Sequence, residues 1–232
     1  MGDYTFDVAV DWIKERPILF KGEMVRAILD GRKTQTRRLL KVQPLDVLPM
    51  NIPDSWVTLE QREPEPHGRH IKCRLGKVGD RLWVRETWQV DPAGEWGYCY
   101  KATGHNTVCG WDSHLWRPSI FMPRKASRIT LEIVNVRCER LQDISSDDAW
   151  AEGIEFEIID QSVSCRNYAV KDGWFNSWGL DDTPEFIYEP IETIAIRSYR
   201  SLWENINGAG SWDANPFVWA IEFKRTPQDG PK

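Results

Sequence analysis

A chain of 232 residues, 41% hydrophobic and 28% charged, can bury a substantial core and has an ordinary globular composition, which excludes a disordered or fibrous protein. Its formal net charge of -5 excludes a protein that coats nucleic acid through a general positive field, so any such contact must be local. No apolar run approaches the roughly 20 residues of a membrane-spanning helix, and an N-terminus carrying Asp3, Asp7 and Asp11 lacks the basic start of a signal peptide; a cytoplasmic location is expected, and no cofactor is.

In chain order, residues 1–16 read as a leader without a clean period, 17–225 as a single domain and 226–232 as a tail. Pro17 to Phe20 suits a first strand. A helix follows from about Gly22 to Asp30, with Met24, Val25, Ile28 and Leu29 on one face and Gly31 where a left-handed cap is expected. Directly behind it stand Arg32, Lys33, Thr34, Gln35, Thr36, Arg37 and Arg38. From Lys33 to Leu40 the residues suit a strand, Thr34 and Thr36 on one face and Lys33, Gln35 and Arg37 on the other. Two readings stay open: a prepared anion or nucleotide site, or cations that merely complement a helix C-terminus.

Residues 43–79, rich in Pro, Gly and charge, read as a long loop or insertion. Within them His67, His70 and Cys73 could begin a zinc site only with a closing ligand such as Cys99, His105 or Cys109. A polar surface loop is the expected reading, and no metal is assigned.

Gly79-Asp80 makes a turn, and Arg81 to Trp88 alternates as a strand with polar and apolar residues on both faces. Arg85 and Glu86 are therefore candidates for a pocket wall, or else for a cross-strand ion pair; Trp88 joins them as a binding candidate. Tyr98 to Ala102 suits a short strand, and 103–116 a Gly- and Trp-rich insertion. Prolines 118 and 123 then bracket a basic segment that would present Arg124 stiffly ahead of a strand from Ile129 to Val136.

Ser145 and Asp148 have capping-box spacing at the start of a short helix that Gly153 can end. Glu152 falls in its last turn, where the negative end of the dipole would raise its pKa as a general acid or base requires; a solvated helix residue is the alternative. Residues 155–188 read as another insertion. A helix opens at Glu189-Pro190-Ile191 with Ile191, Ile194, Ala195, Ser198 and Leu202 on one face and ends near Gly208. The last strand, Pro216 to Lys224, alternates Phe217, Trp219, Ile221 and Phe223 toward the core.

Five cysteines without a C-x-x-C pair are expected to be free thiols. Most of the 13 tryptophans should be structural, while Trp111, Trp116, Trp174 and Trp178 sit among small polar residues as candidate stacking surfaces for a base. They equally suit an interaction protein whose Trp-rich insertions dock a protein partner.

Gly31, Lys33 and Arg37 occupy the places of the G-x-K-x-x-x-R signature of the ASCH domain family, in the PUA-like superfamily. The strand Gly79 to Trp88, the block Ser119 to Ile133, the helix Ala149 to Gly153 and the closing Asn215 to Trp219 also resemble larger ASCH proteins of phages and prophages, in the same order. The resemblance implies an α+β fold, a PUA-like (ASCH) mixed β-barrel with flanking helices and long loop insertions, and a cleft formed by the signature segment. It is similar in its motif residues to a small bacterial amidohydrolase of N4-acetylcytidine. That likeness implies catalytic roles for Lys33, Thr36 and Glu152, with Gly31, Arg32, Arg37, Arg38, Arg85, Glu86, Trp88 and Arg124 as binding candidates. The implied partner is a nucleoside, nucleotide or single-stranded nucleic acid, RNA favoured; many such proteins bind RNA without catalysis. One obstacle is geometric: residues three apart in a regular strand face opposite ways, so Lys33 and Thr36 converge only if the chain bends between them.

Overall fold

The computed structural model describes residues 12–49, 56–60, 67–91, 97–104, 116–159, 162–176 and 191–227. Its centre is a sheet of β1 (Glu15–Leu19), β6 (Arg81–Arg85), β9 (Thr130–Arg140), β13 (Phe217–Arg225) and β2 (Gln35–Leu39), in that spatial order. β1 runs parallel to β6 and the other pairings are antiparallel. β13 is an interior strand, and Phe217 to Ile221 are all buried. A strand covered on both faces reads as a continuous apolar run, as this one does.

The class is α+β, but among the described residues the expected barrel is an open sheet with β1 and β2 as its edges. The sheet nevertheless curls. Arg38, from one edge, donates to the Leu19 carbonyl of the other at 2.8 Å, and the Phe20 and Phe223 rings lie 6.3 Å apart. This seam between the edges holds the site described below.

α1 (Gly22–Leu29) buries Met24, Val25, Ala27 and Ile28 and ends at Gly31, whose φ of +77° is the expected left-handed cap. α2 (Ser146–Ala151) is short; the Ser145 hydroxyl accepts from the Asp148 amide, and Gly153 leaves the helix at φ +80°. α3 (Ile191–Asn207) turns Ile194, Ala195, Ser198 and Leu202 inward and stops before Gly208, as its periodicity predicts.

Two segments expected to be loops contain sheets. β3 (Asp46–Pro49), β4 (Trp56–Glu60) and β5 (His67–Ile71) form one antiparallel sheet inside 43–79. β10 (Phe156–Ile159), β11 (Ser162–Asn167) and β12 (Gly173–Asn176) form another inside 155–188. Such short strands carry too few periods to stand out, and they are fixed by tertiary anchors: the Trp56 ring meets Trp219 edge-on at 4.8 Å, and Cys165 is buried in the core.

The predicted strand from Arg81 to Trp88 is two, β6 and β7 (Trp88–Val90), the latter pairing with β8 (Tyr98–Tyr100). Cysteine chemistry also differs from expectation. Cys73, Cys138 and Cys165 are free, but Cys99 is disulfide-bonded, because an odd count excludes a complete framework and not a single bridge. The leader up to residue 11 and most of 103–116, with Trp111, lie outside the described residues, as do Trp178 and Pro190. No helix among the described residues is long and apolar enough to cross a membrane.

Candidate active site

Two left-handed glycines bring Lys33 to Glu152. After the Gly31 turn, the Lys33 amide donates to the Ala27 carbonyl and the Thr34 amide to the Ala151 carbonyl, both at 2.9 Å. Lys33 and Glu152 thereby form an isolated antiparallel bridge. Contact this close requires Gly153: a Cβ there would stand 2.6 Å from the Lys33 Cβ and 3.0 Å from that of Ala27. With these amides bonded to helix ends, the regular strand begins at Gln35, not at Lys33 as expected. That break removes the obstacle to convergence, because the strict alternation of a strand does not run through Lys33 and Thr34.

Lys33 Nζ donates to Glu152 Oε2 at 2.8 Å and to its carbonyl at 2.7 Å, and both side chains are almost wholly buried. Burial pulls the Lys33 pKa down by more than the Glu152 charge raises it. The expectation of a solvated Glu152 fails, since the carboxylate is buried between two cations.

Arg37 holds the second layer. Its Nη1 donates to Glu152 Oε1 at 3.3 Å, and its Nη2 to Glu139 at 2.6 Å and Asp148 at 2.7 Å. From β9, on the far side of β13, Arg137 bonds Asp148, Glu139 and Glu222. Register explains the pairing: Ala220 of β13 lies opposite both Arg37 and Arg137, and its small side chain leaves space for two guanidiniums on one sheet face. Burial pushes the Asp148 carboxyl up, but Arg37 and Arg137 outweigh it and its pKa is lowered. Burial would likewise pull Arg37 down, yet Glu152, Tyr199 and the carboxylates beside it raise it. A guanidinium so engaged orients Glu152 and is not a free anion contact, as the sequence suggested.

Above these groups opens a pocket of about 360 Å³. Lys33, Thr36, Arg38, Glu152, Tyr199 and Trp203 line it, with Phe20 from the opposite sheet edge. Arg38 stacks over Phe20 at 5.1 Å. The indole Nε1 of Trp203 is buried without a hydrogen-bond partner among the described residues, a donor in need of an acceptor. Tyr199 is pushed well above its ordinary pKa by burial and stays protonated.

The remaining binding candidates do not join. Arg32 lies outside the pocket and clamps the Gly153 and Ile154 carbonyls. Glu86 accepts two bonds at 2.9 Å from Arg128, so the ion-pair alternative is the correct one. Arg85 stacks on Trp83 at 4.6 Å, and Trp88 is buried with Met122 and Ala126 in a separate small core. Arg124 pairs with Glu15 at 2.9 Å. Each stands out in a local pattern, and each meets a neighbour distant in sequence, for Arg85 the Ile120 carbonyl at 3.3 Å.

Sequence reasoning missed Tyr199, Trp203, Glu139 and Asp148. The first two extend the inward stripe of α3 at helical spacing, a signal indistinguishable from core packing; Asp148 was legible only as a capping residue. Among the described residues no group of three or more His, Cys, Asp or Glu side chains is arranged to hold a metal. A scan against protein-family models returned no match to this chain, and searches of the curated proteins and of the solved structures returned none either.

Proposed function

We propose that the chain is an ASCH-type, PUA-like protein whose seam pocket takes an N-acylated cytidine and hydrolyses its amide. The observation that carries this reading is the convergence of Lys33, Thr36 and Glu152, 119 positions apart at their extremes, on one pocket. Its volume lies within the roughly 300–1,000 Å³ of small-molecule sites. Phe20 and Tyr199 offer apolar walls for a base, and Trp203 Nε1 a donor for its carbonyl. A curled open sheet is a barrel short of one seam, which is where the fold proposal stands, and a cytoplasmic setting belongs to the same reading.

In the proposed reaction Thr36 Oγ1 attacks the acyl carbon while its proton passes to Lys33, whose lowered pKa increases the share of neutral amine. The carbonyl electron pair moves to oxygen, beside the Arg38 guanidinium. As the C–N bond breaks, the Lys33 ammonium returns the proton to the departing amino group and cytidine leaves. Water, giving a proton to Lys33, then attacks the ester carbon; as the bond to Thr36 Oγ1 breaks, Lys33 returns that proton to Oγ1, and acetic acid leaves and ionises in solution. Glu152 balances the charge on Lys33 throughout.

The test is incubation of the purified chain with N4-acetylcytidine, following cytidine release. Turnover that disappears in Thr36→Ala and Glu152→Gln is expected; substrate left intact by the wild-type chain overturns the hydrolase. One observation favours a binding-only site: Thr36 Oγ1 makes no hydrogen bond to Lys33 or Glu152 among the described residues. Saturable binding of the nucleoside without turnover would select that version.

A further inference from the structure

A second concavity, of about 280 Å³, lies where the end of β2 meets the β3–β5 sheet. Lys41, Arg69, His70, Lys72 and Arg74 line it, without an Asp or Glu among the described residues, around a floor that includes Trp219. All five basic residues are exposed. The side chains of Lys41, Lys72 and Arg74 carry no hydrogen bond or ion pair among the described residues. In a chain of net charge -5 this is a local inversion of sign, and the like charges repel one another. Both walls are anchored, since Ile71 pairs with Trp56 and the Trp56 ring packs on Trp219.

We infer that this groove binds the sugar–phosphate backbone of a single-stranded nucleic acid. Phosphate is the ligand chemistry that several uncompensated cations select. A polymer fits better than a free anion: the cations are spread over two segments and are all solvent-exposed, so none of them encloses a single ion. Leu39, Val42 and Leu45, exposed at 47%, 63% and 55%, run beside them and give unpaired bases an apolar surface. The groove follows the first pocket along the chain. Arg38 and Leu39 line one, Leu40 and Lys41 the other, and five residues of extended chain from Thr36 to Lys41 span about 16 Å. A strand lying in the groove leads a nucleotide toward Thr36. Only this link rests on the acyl-cytidine reading; backbone binding does not.

The experiment is fluorescence anisotropy of a labelled dodecauridylate with the full chain, titrated with KCl from about 50 to 300 mM. A log–log salt slope of about -2 to -3 is expected for three or four phosphates neutralised on a single strand. The triple variant Lys41→Ala, Lys72→Ala, Arg74→Ala should lose about two units of that slope and bind at least tenfold more weakly, with an unchanged unfolding midpoint. The single reversals Lys72→Glu and Arg74→Glu serve if the triple variant unfolds. Unchanged affinity and slope in a folded variant overturn the proposal, as does full displacement of the oligonucleotide by millimolar inorganic phosphate at constant ionic strength.

Hydrolysis separates the two readings. The groove variant should cleave free N4-acetylcytidine at the wild-type rate but an acetylated oligonucleotide more slowly; equal slowing of both overturns the link between groove and pocket. A wild-type chain that cleaves neither sinks the hydrolase while dodecauridylate binding continues to support the groove.

Discussion

The seam pocket and the groove beside it use the same cations in opposite ways. In the pocket Lys33 and Arg37 are buried and answered by carboxylates: Lys33 by Glu152, and Arg37 by Glu139, Asp148 and Glu152. In the groove Lys41, Lys72 and Arg74 lie in water, without a carboxylate partner among the described residues. The difference follows from the cost of desolvation, which a buried charge meets only with a close partner and an exposed charge hardly incurs. Buried charges therefore set geometry and titration, whereas exposed ones remain available to a ligand.

Removing the hub of the buried set should have the largest effect. Arg37→Ala leaves Glu139, Asp148 and Glu152 without their shared cation and should cost about 3–5 kcal/mol of unfolding free energy, measured by urea denaturation. A loss below about 1 kcal/mol, the range of exposed pairs, would erase the distinction between the two regions.

Next comes the contact that seats Lys33 on Glu152. Gly153→Ala combines a positive φ with a Cβ 2.6 Å from another and should cost about 2–4 kcal/mol. Gly31→Ala shares the positive φ but meets nothing within 4 Å, so about 1 kcal/mol is expected. Equal losses would show that close approach plays no part.

The smallest effects are those of pH. Asp148 and Asp80 have lowered pKa values: burial raises both, but Arg37 and Arg137 outweigh it at Asp148, and the Lys14 and Lys77 amides with Arg16 at Asp80. Their stabilisation is complete above the unfolded carboxyl value of about 3.9 and is lost as pH falls through the lower folded values. Lys33 works in the other direction. Its folded pKa lies below the unfolded value of about 10.4, so the unfolded chain binds the proton more readily and stability rises with pH between the two. Unfolding free energies across the alkaline range should show this rise in the wild-type chain and lose it in Lys33→Met; a rise that survives the substitution belongs to another group.

Much of this architecture was legible in the sequence. The α1 stripe, the Gly31 cap, the Ser145 cap and the apolar run of β13 depend on neighbours a few positions apart, and each stands where its pattern predicts. That Lys33, Thr36 and Glu152 line one pocket accords with the grouping that the motif resemblance implied. Arg85, Glu86, Trp88 and Arg124 lie away from the pocket, because a charged or aromatic residue announces a partner without saying which one. The β3–β5 sheet was unreadable for a related reason: its strands are short, and Trp56 owes its place to Trp219, far along the chain.

What the sequence alone determined is therefore local: the helix ends, the left-handed turns and the cations set behind them. Tertiary structure decided which carboxylates answer those cations, because Glu139, Asp148 and Glu152 reach Arg37 only when β9, β13 and α2 pack beside β2. It also decided which cations remain in water. Charge is written residue by residue, but burial, which separates a charge that fixes geometry from one that binds, is a property of the assembled fold.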